Sequence, residues 1–226
     1  MAVFLKEPRP GRVKTRLARA IGKRRAAGLY RAFVVDTLEW FGRTPAGERR
    51  LYYAPEGTQP ERIARLVPGG ITAMTLWPQR GAGLGERLER AFEETFAAGF
   101  RAAVVTGTDC PLVGPSTLRQ ALSALENAEV VLGPARDGGY YLVGLRRFAP
   151  EIFRGIPWST SRVLAATLES IRRAGLTTAL LEPLGDVDTL ADLVHLKREL
   201  VELWRQSRGG HFPRRTFREL AYMTLR

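Results

Sequence analysis

The sequence is poor in the residues that most often advertise a chemistry. It has one cysteine, Cys110, and two histidines, His195 and His211. A single thiol excludes an internal disulfide framework and any multi-cysteine zinc or iron–sulfur site. His195 falls within a helical pattern and His211 in the tail, so neither presents itself as the partner that would make Cys110 a nucleophile, and Cys110 reads as a small buried residue. No window approaches the roughly 18 to 20 apolar residues that span a bilayer. The first apolar run, AVFL, stops at Lys6 and Glu7 instead of extending into a signal peptide, so the expectation is a cytoplasmic protein without membrane insertion. No internal repeat is visible.

Acids are scarce at the start of the chain. Residues 1–31 hold ten Lys or Arg against one acid, Glu7, a local +9 within a net +12. Such a segment concentrates anionic partners around it. Lys23, Arg24, Arg25 and Arg31 read as a solvated helix face, whereas the stretch FLKEPRPGRVKTRLA (4–18) is more specific. It is not a P-loop, because Gly11 and Lys14 are separated by two residues and no second glycine lies four residues upstream. The physics of a phosphate cradle remains: a strand, a loop stiffened by Pro8 and Pro10 and tightened by Gly11, and a helix N-terminus. Lys6, Lys14 and Arg16 add full charges, and a diphosphate is the natural guest.

At 226 residues the chain can build one substantial core and needs no second domain. Strand patterns at 2–5, 51–54, 72–77, 101–107, 130–135, 140–145 and 177–182 alternate with helical ones at about 13–41, 59–66, 85–99, 116–125, 160–174 and 190–204. Within 85–99, Leu88, Phe92 and Phe96 recur at i, i+4, i+8 ahead of Gly99. The alternation predicts an α/β sandwich with a mostly parallel sheet. The domain is expected over 1–206, and composition breaks at 207–226, a basic extension open to three readings: a docked helix, a homodimer contact or a frayed end.

Ligands of open α/β sheets bind beyond the carboxyl ends of the strands, so motifs there carry the argument. In VVTGTDCPLVGP, Asp109 follows a buried strand, where a carboxylate suits Mg²⁺ or Mn²⁺ shared with phosphates, or caps a turn. In LGDVDTLADL, Asp186 and Asp188 emerge between a strand and a helix; Asp188 or Thr189 could cap that helix. Alternatively, Asp109 and Asp188 on facing loops hold one divalent cation against a diphosphate. In GPARDGGYYLVGL, Asp137-Gly138-Gly139 is hairpin chemistry, and also leaves Asp137 as a carboxylate for a sugar hydroxyl or for base work. In QRGAGLGERL, Gly81, Gly83 and Gly85 lead into a helix and could shape a nucleoside pocket with Gln79 and Arg87.

These five stretches taken in chain order, with IPWSTSRVLAATL before the last as a sixth, resemble a family of bacterial GT-A-like transferases linked to arsenosugar biosynthesis or to radical-SAM and selenium-related domains. The resemblance covers about residues 3–196. That family is similar in turn to nucleotide-diphospho-sugar transferases and to the molybdenum-cofactor and phospholactate guanylyltransferases. The resemblance implies a GT-A-like single-domain α/β/α sandwich. It implies that Lys6, Lys14 and Arg16 contact the diphosphate, that Asp109 and Asp188 hold the metal, and that Asp137, Trp158, Ser159 and Thr160 line the acceptor side. One departure stands out: the usual glycosyltransferase signature has two acids separated by one residue, and Gly107-Thr108-Asp109 offers one.

The expected activity is transfer of a sugar from a nucleoside diphosphate donor to a small acceptor hydroxyl with a divalent cation, Mg²⁺ or Mn²⁺, and with Asp137 as base. The alternative is nucleotidyl transfer from a triphosphate to a small phosphorylated acceptor. A nucleic-acid-binding module ranks third, because aromatic residues are not interleaved with the basic ones and three acidic loops would be left unexplained.

Overall fold

The alternation of strand and helix signals resolves, in a computed structural model that describes residues 1–44, 47–70, 74–206, 211–221 and 223, into a seven-stranded sheet. The strands are β1 (Ala2–Leu5), β2 (Arg50–Tyr53), β3 (Thr75–Pro78), β4 (Ala103–Thr106), β5 (Val130–Pro134), β6 (Tyr140–Leu145) and β7 (Thr178–Leu180). Their order is β3-β2-β1-β4-β6-β5-β7. Among the described strands only β6 runs against its neighbours, pairing antiparallel with β4 and β5. The other described pairs are parallel, including Ala2↔Arg50 through Leu5↔Tyr53. The strand expected over 72–77 starts at Thr75, and its positions 72 and 73 lie outside the described residues.

Strand residues alternate between faces, and the apolar ones divide accordingly between two cores. Val3, Leu5, Leu51, Val104 and Val131 join Leu29, Phe33, Leu118, Leu193 and Leu196 on one side. Ala2, Phe4, Tyr52, Val105 and Leu132 join Leu88, Phe92, Ile152 and Ile171 on the other. The helices contributing to the first core include α1 (Thr15–Ile21), α2 (Lys23–Arg43), α5 (Pro115–Ala124) and α7 (Leu190–Gln206), with α3 (Pro60–Ala64) short and to one side. The second core is covered by α4 (Leu84–Ala97), a 3₁₀ turn (Pro150–Phe153) and α6 (Val163–Arg173). This is the expected mixed α/β domain with a mostly parallel sheet. No helix among the described residues is long and apolar enough to cross a membrane.

The long helix expected over 13–41 is two helices. Gly22, at φ +87°, ends α1 and begins α2, a left-handed position that an apolar period read through the break does not reveal. In the tail, α8 (Arg214–Ala221) is docked on α2. Buried Asp36 of α2 accepts from the backbone N–H of Arg215 at 3.1 Å and of Thr216 at 2.8 Å, supplying acceptors that the first turn of α8 lacks. The remainder of the expected extension, 207–210, 222 and 224–226, lies outside the described residues.

Candidate functional site

The loop after β1 is braced from within. Glu7 pairs with Arg9 at 2.7 Å and Arg62 at 3.1 Å, Arg12 N–H donates to the Arg9 carbonyl, and Gly11 turns at φ +78°. The loop ends on Lys14, whose φ and ψ of 47° place a side-chain-bearing residue in the left-handed region at the N-terminus of α1. That conformation costs about 1–2 kcal/mol. It aims the side chain inward. The Lys14 ammonium lies 3.0 Å from Asp188 Oδ1 and pairs also with Asp109. Its side chain is 3% exposed, whereas those of Asp109 and Asp188 are 52% and 47% exposed. Burial works against the ammonium charge, but the two carboxylates outweigh it and hold the Lys14 pKa above its ordinary value.

Asp109 and Asp188 reach this point from different ends of the chain. Asp109 follows β4, and its carbonyl accepts from Val187 N–H at 3.1 Å, tying the two acidic loops together. Beside it, the Thr108 hydroxyl shares a 2.8 Å hydrogen bond with the Tyr30 hydroxyl, which also accepts from Lys6 N–H at 3.1 Å. Burial, with the Asp109 charge adding to it, pushes the Tyr30 phenol up to about 12. At the start of α7 the capping is done by neighbours of Asp188: Asp192 Oδ2 accepts from Thr189 N–H at 2.7 Å, and Asp192 N–H donates back to Thr189 Oγ1 at 3.3 Å. Asp188 also gives its N–H to Asp192, so its carboxylate is spared for Lys14.

Asp186 lies deeper. Its Oδ1 is buried without a hydrogen-bond partner. Burial first, then the charge of Asp109, pushes its carboxyl up to about 7; Asp137 and Asp188 add to the push and Lys14 opposes it. Cys110 is buried, and burial raises its thiol well above the reactive range, in keeping with a packing role.

Three cavities meet around these groups. One of about 260 Å³ is walled by Phe4, Leu5, Leu84, Leu88, Val105, Tyr140 and Leu142, and has Lys6, Asp109 and Asp186 among its polar groups. A second, of about 220 Å³, is ringed by Lys6, Arg12, Lys14 and Arg16 with Asp109 and Asp188. A third, of about 420 Å³, is lined by five carboxylates, Asp137, Asp186, Asp188, Asp192 and Glu199, against Arg16, Arg136 and His195. Arg136 is engaged by Glu199 at 2.9 Å and by His195.

Lys6, Lys14, Arg16, Asp109 and Asp188 thus converge, and Asp137 joins them through the acidic cavity. Asp137 Oδ1 accepts from Gly139 N–H at 2.9 Å inside the β5–β6 hairpin. Gly11 shapes the loop without lining the three cavities, and a β-carbon there would meet the Lys23 side chain. Gln79 reaches the apolar cavity, but its amide is committed: Nε2 donates to the Tyr52 carbonyl at 2.9 Å, and Oε1 accepts from Arg87 at 3.3 Å. Arg87 is further held by the Gly81 carbonyl and Glu56. At Gly85 a methyl group would strike the Trp158 indole, so this glycine serves close packing of α4. Trp158 packs on Tyr140, and Ser159 turns at φ +65°. Thr160 donates to the Pro157 carbonyl at 2.7 Å. This turn abuts the Asp137 hairpin, where Ser161 backbone touches Gly138, but Trp158, Ser159 and Thr160 do not line the three cavities.

Tyr30, Arg136 and His195 enter the site without having been singled out as site residues by sequence, and Asp186, named there only beside Asp188, enters it as well. Tyr30 shares the apolar face of its helix, so periodicity makes it look like core. Asp186 carried a signal, its i, i+2 spacing from Asp188, but nothing local announced its burial.

No group of three or more His, Cys, Asp or Glu among the described residues is arranged to hold a metal ion. A divalent cation shared with phosphate oxygens needs only one or two carboxylates, however. Asp109 and Asp188 converge on one point, and that point is where the Lys14 ammonium sits.

Residues 37–160 match the family described as uncharacterized protein conserved in bacteria (DUF2064). No match is found among curated proteins. Of solved structures, the chain is similar to a Desulfovibrio desulfuricans G20 protein provisionally named a nucleotide-diphospho-sugar transferase. The two are 36% identical with a TM-score of 0.85, over 97% of this chain and 92% of that one. Its fold is also similar to that of 4-diphosphocytidyl-2C-methyl-D-erythritol synthase from Anaerococcus prevotii DSM 20548. There the identity is 8% and the TM-score 0.57, over 88% of this chain and 97% of that one.

Proposed function

The chain belongs to the bacterial DUF2064 family, and from that footing we propose that it transfers a sugar from a nucleoside diphosphate donor to the hydroxyl of a small acceptor. The observation that carries this reading is the division of charge across the strand ends. The basic cavity around Lys6, Arg12, Lys14 and Arg16 suits a diphosphate, and the apolar cavity beside it suits the nucleoside. The acidic cavity suits a neutral hydroxyl compound: its five carboxylates face two arginines, one of them already engaged by Glu199.

That acidity also ranks the alternatives. Nucleotidyl transfer to a phosphorylated acceptor would seat an anion among those carboxylates, where like charges repel. The similarity in fold to a diphosphocytidyl synthase keeps this reaction as the rival. In the preferred reaction Arg16 and Lys6 steady the diphosphate as negative charge gathers on it. Asp137, oriented by Gly139 N–H, accepts the proton of the acceptor hydroxyl. Asp109 and Asp188 would hold a divalent cation, Mg²⁺ or Mn²⁺, which when bound offsets charge on the leaving diphosphate. The tail beyond 206 is read as an accessory to a domain spanning 1–206, and the setting as cytoplasmic.

A panel of nucleoside diphosphates, diphospho-sugars and triphosphates, with and without Mn²⁺, read by thermal shift and product analysis, tests the proposal. Stabilisation by a diphospho-sugar and release of free nucleoside diphosphate are expected, with Asp137→Asn lowering kcat by roughly 10²–10⁴. Pyrophosphate released from a triphosphate would move the assignment to nucleotidyl transfer.

A further inference from the structure

Lys14 does more than its place in a basic loop requires. A lysine that only attracts phosphate would extend into the open cavity with Lys6 and Arg16. Lys14 lines that cavity but is nearly wholly buried, and its ammonium occupies the point on which two half-exposed carboxylates converge. Its left-handed backbone, in a loop already stiffened by two prolines, directs it there. Tyr30 lines the same path, with the ammonium 5.8 Å from its ring.

We propose that Lys14 is an internal cation that bars Asp109 and Asp188 from a divalent ion until a diphosphate draws the ammonium away. The inference rests on reading those aspartates as the cation pair. While Lys14 stays in place, the pair presents one net negative charge and its inner oxygens are taken. A bare ion would have to displace a buried ammonium and would find no third acidic or imidazole ligand among the described residues. A diphosphate changes both terms. Its oxygens give Lys14 a new anionic partner within the cavity the residue already lines, and they supply the ligands that two carboxylates lack. Metal and diphosphate then bind as an ordered, mutually dependent pair, and Lys14 sets the order.

The test measures Mn²⁺ binding to the full chain by water-proton relaxation, without and with inorganic pyrophosphate, for wild type, Lys14→Met and Asp109→Asn. The expected result is that Lys14→Met binds Mn²⁺ alone at least tenfold more tightly than wild type, and that pyrophosphate narrows the difference. Equal affinities of wild type and Lys14→Met for Mn²⁺ alone would overturn the gating role while leaving the cation pair intact. Failure of both to bind Mn²⁺ even with pyrophosphate, with Asp109→Asn indistinguishable, would overturn the cation pair and the gate together. Should Lys14→Met not fold, wild type still decides: micromolar Mn²⁺ binding without pyrophosphate refutes the gate, and binding only with it, abolished in Asp109→Asn, upholds it.

Discussion

Replacing Asp186 with asparagine should make the protein more stable at pH 8 and remove part of its pH dependence. Moving a carboxyl from 3.8 in the open chain to about 7 in the fold corresponds to ~4 kcal/mol at 1.36 kcal/mol per tenfold. The sign follows from proton counting. Between about pH 4 and pH 7 the folded chain keeps a proton that the unfolded chain has released, so stability falls as pH rises and the full penalty stands above 7. About 2–3 kcal/mol of it develops between pH 5 and pH 8. An asparagine escapes that penalty, but its amide meets the same partnerless surroundings as Oδ1, at a cost of about 1–3 kcal/mol. The net expectation is a gain of about 1–3 kcal/mol at pH 8 and little or none at pH 5. Urea denaturation of both proteins in EDTA at the two pH values measures it. A stability difference that stays constant from pH 5 to pH 8, or a variant weaker than wild type at pH 8, would refute the argument. A carboxylate retained at such a cost is what a group serving the site's chemistry leads one to expect.

Three further outcomes follow from the packing around the site and the tail. Gly138→Ala, at φ +91° and with its methyl driven into the Ser161 carbonyl, should lose roughly 1–3 kcal/mol or more in the same denaturation assay. Asp36→Ala removes the acceptor of two backbone N–H groups of α8, and should cost about 2–4 kcal/mol and speed amide exchange at Arg215 and Thr216. Burial lowers the pKa of His211, with Asp36 and Glu39 pulling the other way. Its contribution is therefore complete above pH 6.5 and lost as pH falls through the folded value, so α8 should loosen on acidification and His211→Phe should flatten that response in amide exchange.

Much of the fold is legible without coordinates because it is governed by short-range rules. AVFL divides its side chains between two cores as strand geometry requires, and Leu88 and Phe92 bury one face of α4 as a period of 3.6 requires. Gly22 was the exception: an apolar stripe continues in register across it, so only the φ of +87° reveals two helices where one was expected.

The site divides along the same line. Residue types and their positions after strands pointed to the basic loop, to Asp109 and Asp188, and to the hairpin carrying Asp137, since glycine, proline and charge at strand ends have local causes. What the sequence could not decide was which charges face one another. Lys14 and Asp188 are 174 residues apart, and their contact depends on where β1, β4 and the loop before α7 fall in the sheet. Likewise Asp186 and Asp188 are alike in sequence, yet one has a buried oxygen without a partner and the other is half exposed on a lysine. Burial and charge pairing are properties of the assembled surface, where the dielectric and the neighbours are set by distant segments. The sequence therefore determined the sheet, its layers and the kinds of group at its carboxyl edge; the tertiary structure alone decided that one lysine would pair with two aspartates from distant loops, and that most of the site's remaining acids would line a neighbouring cavity.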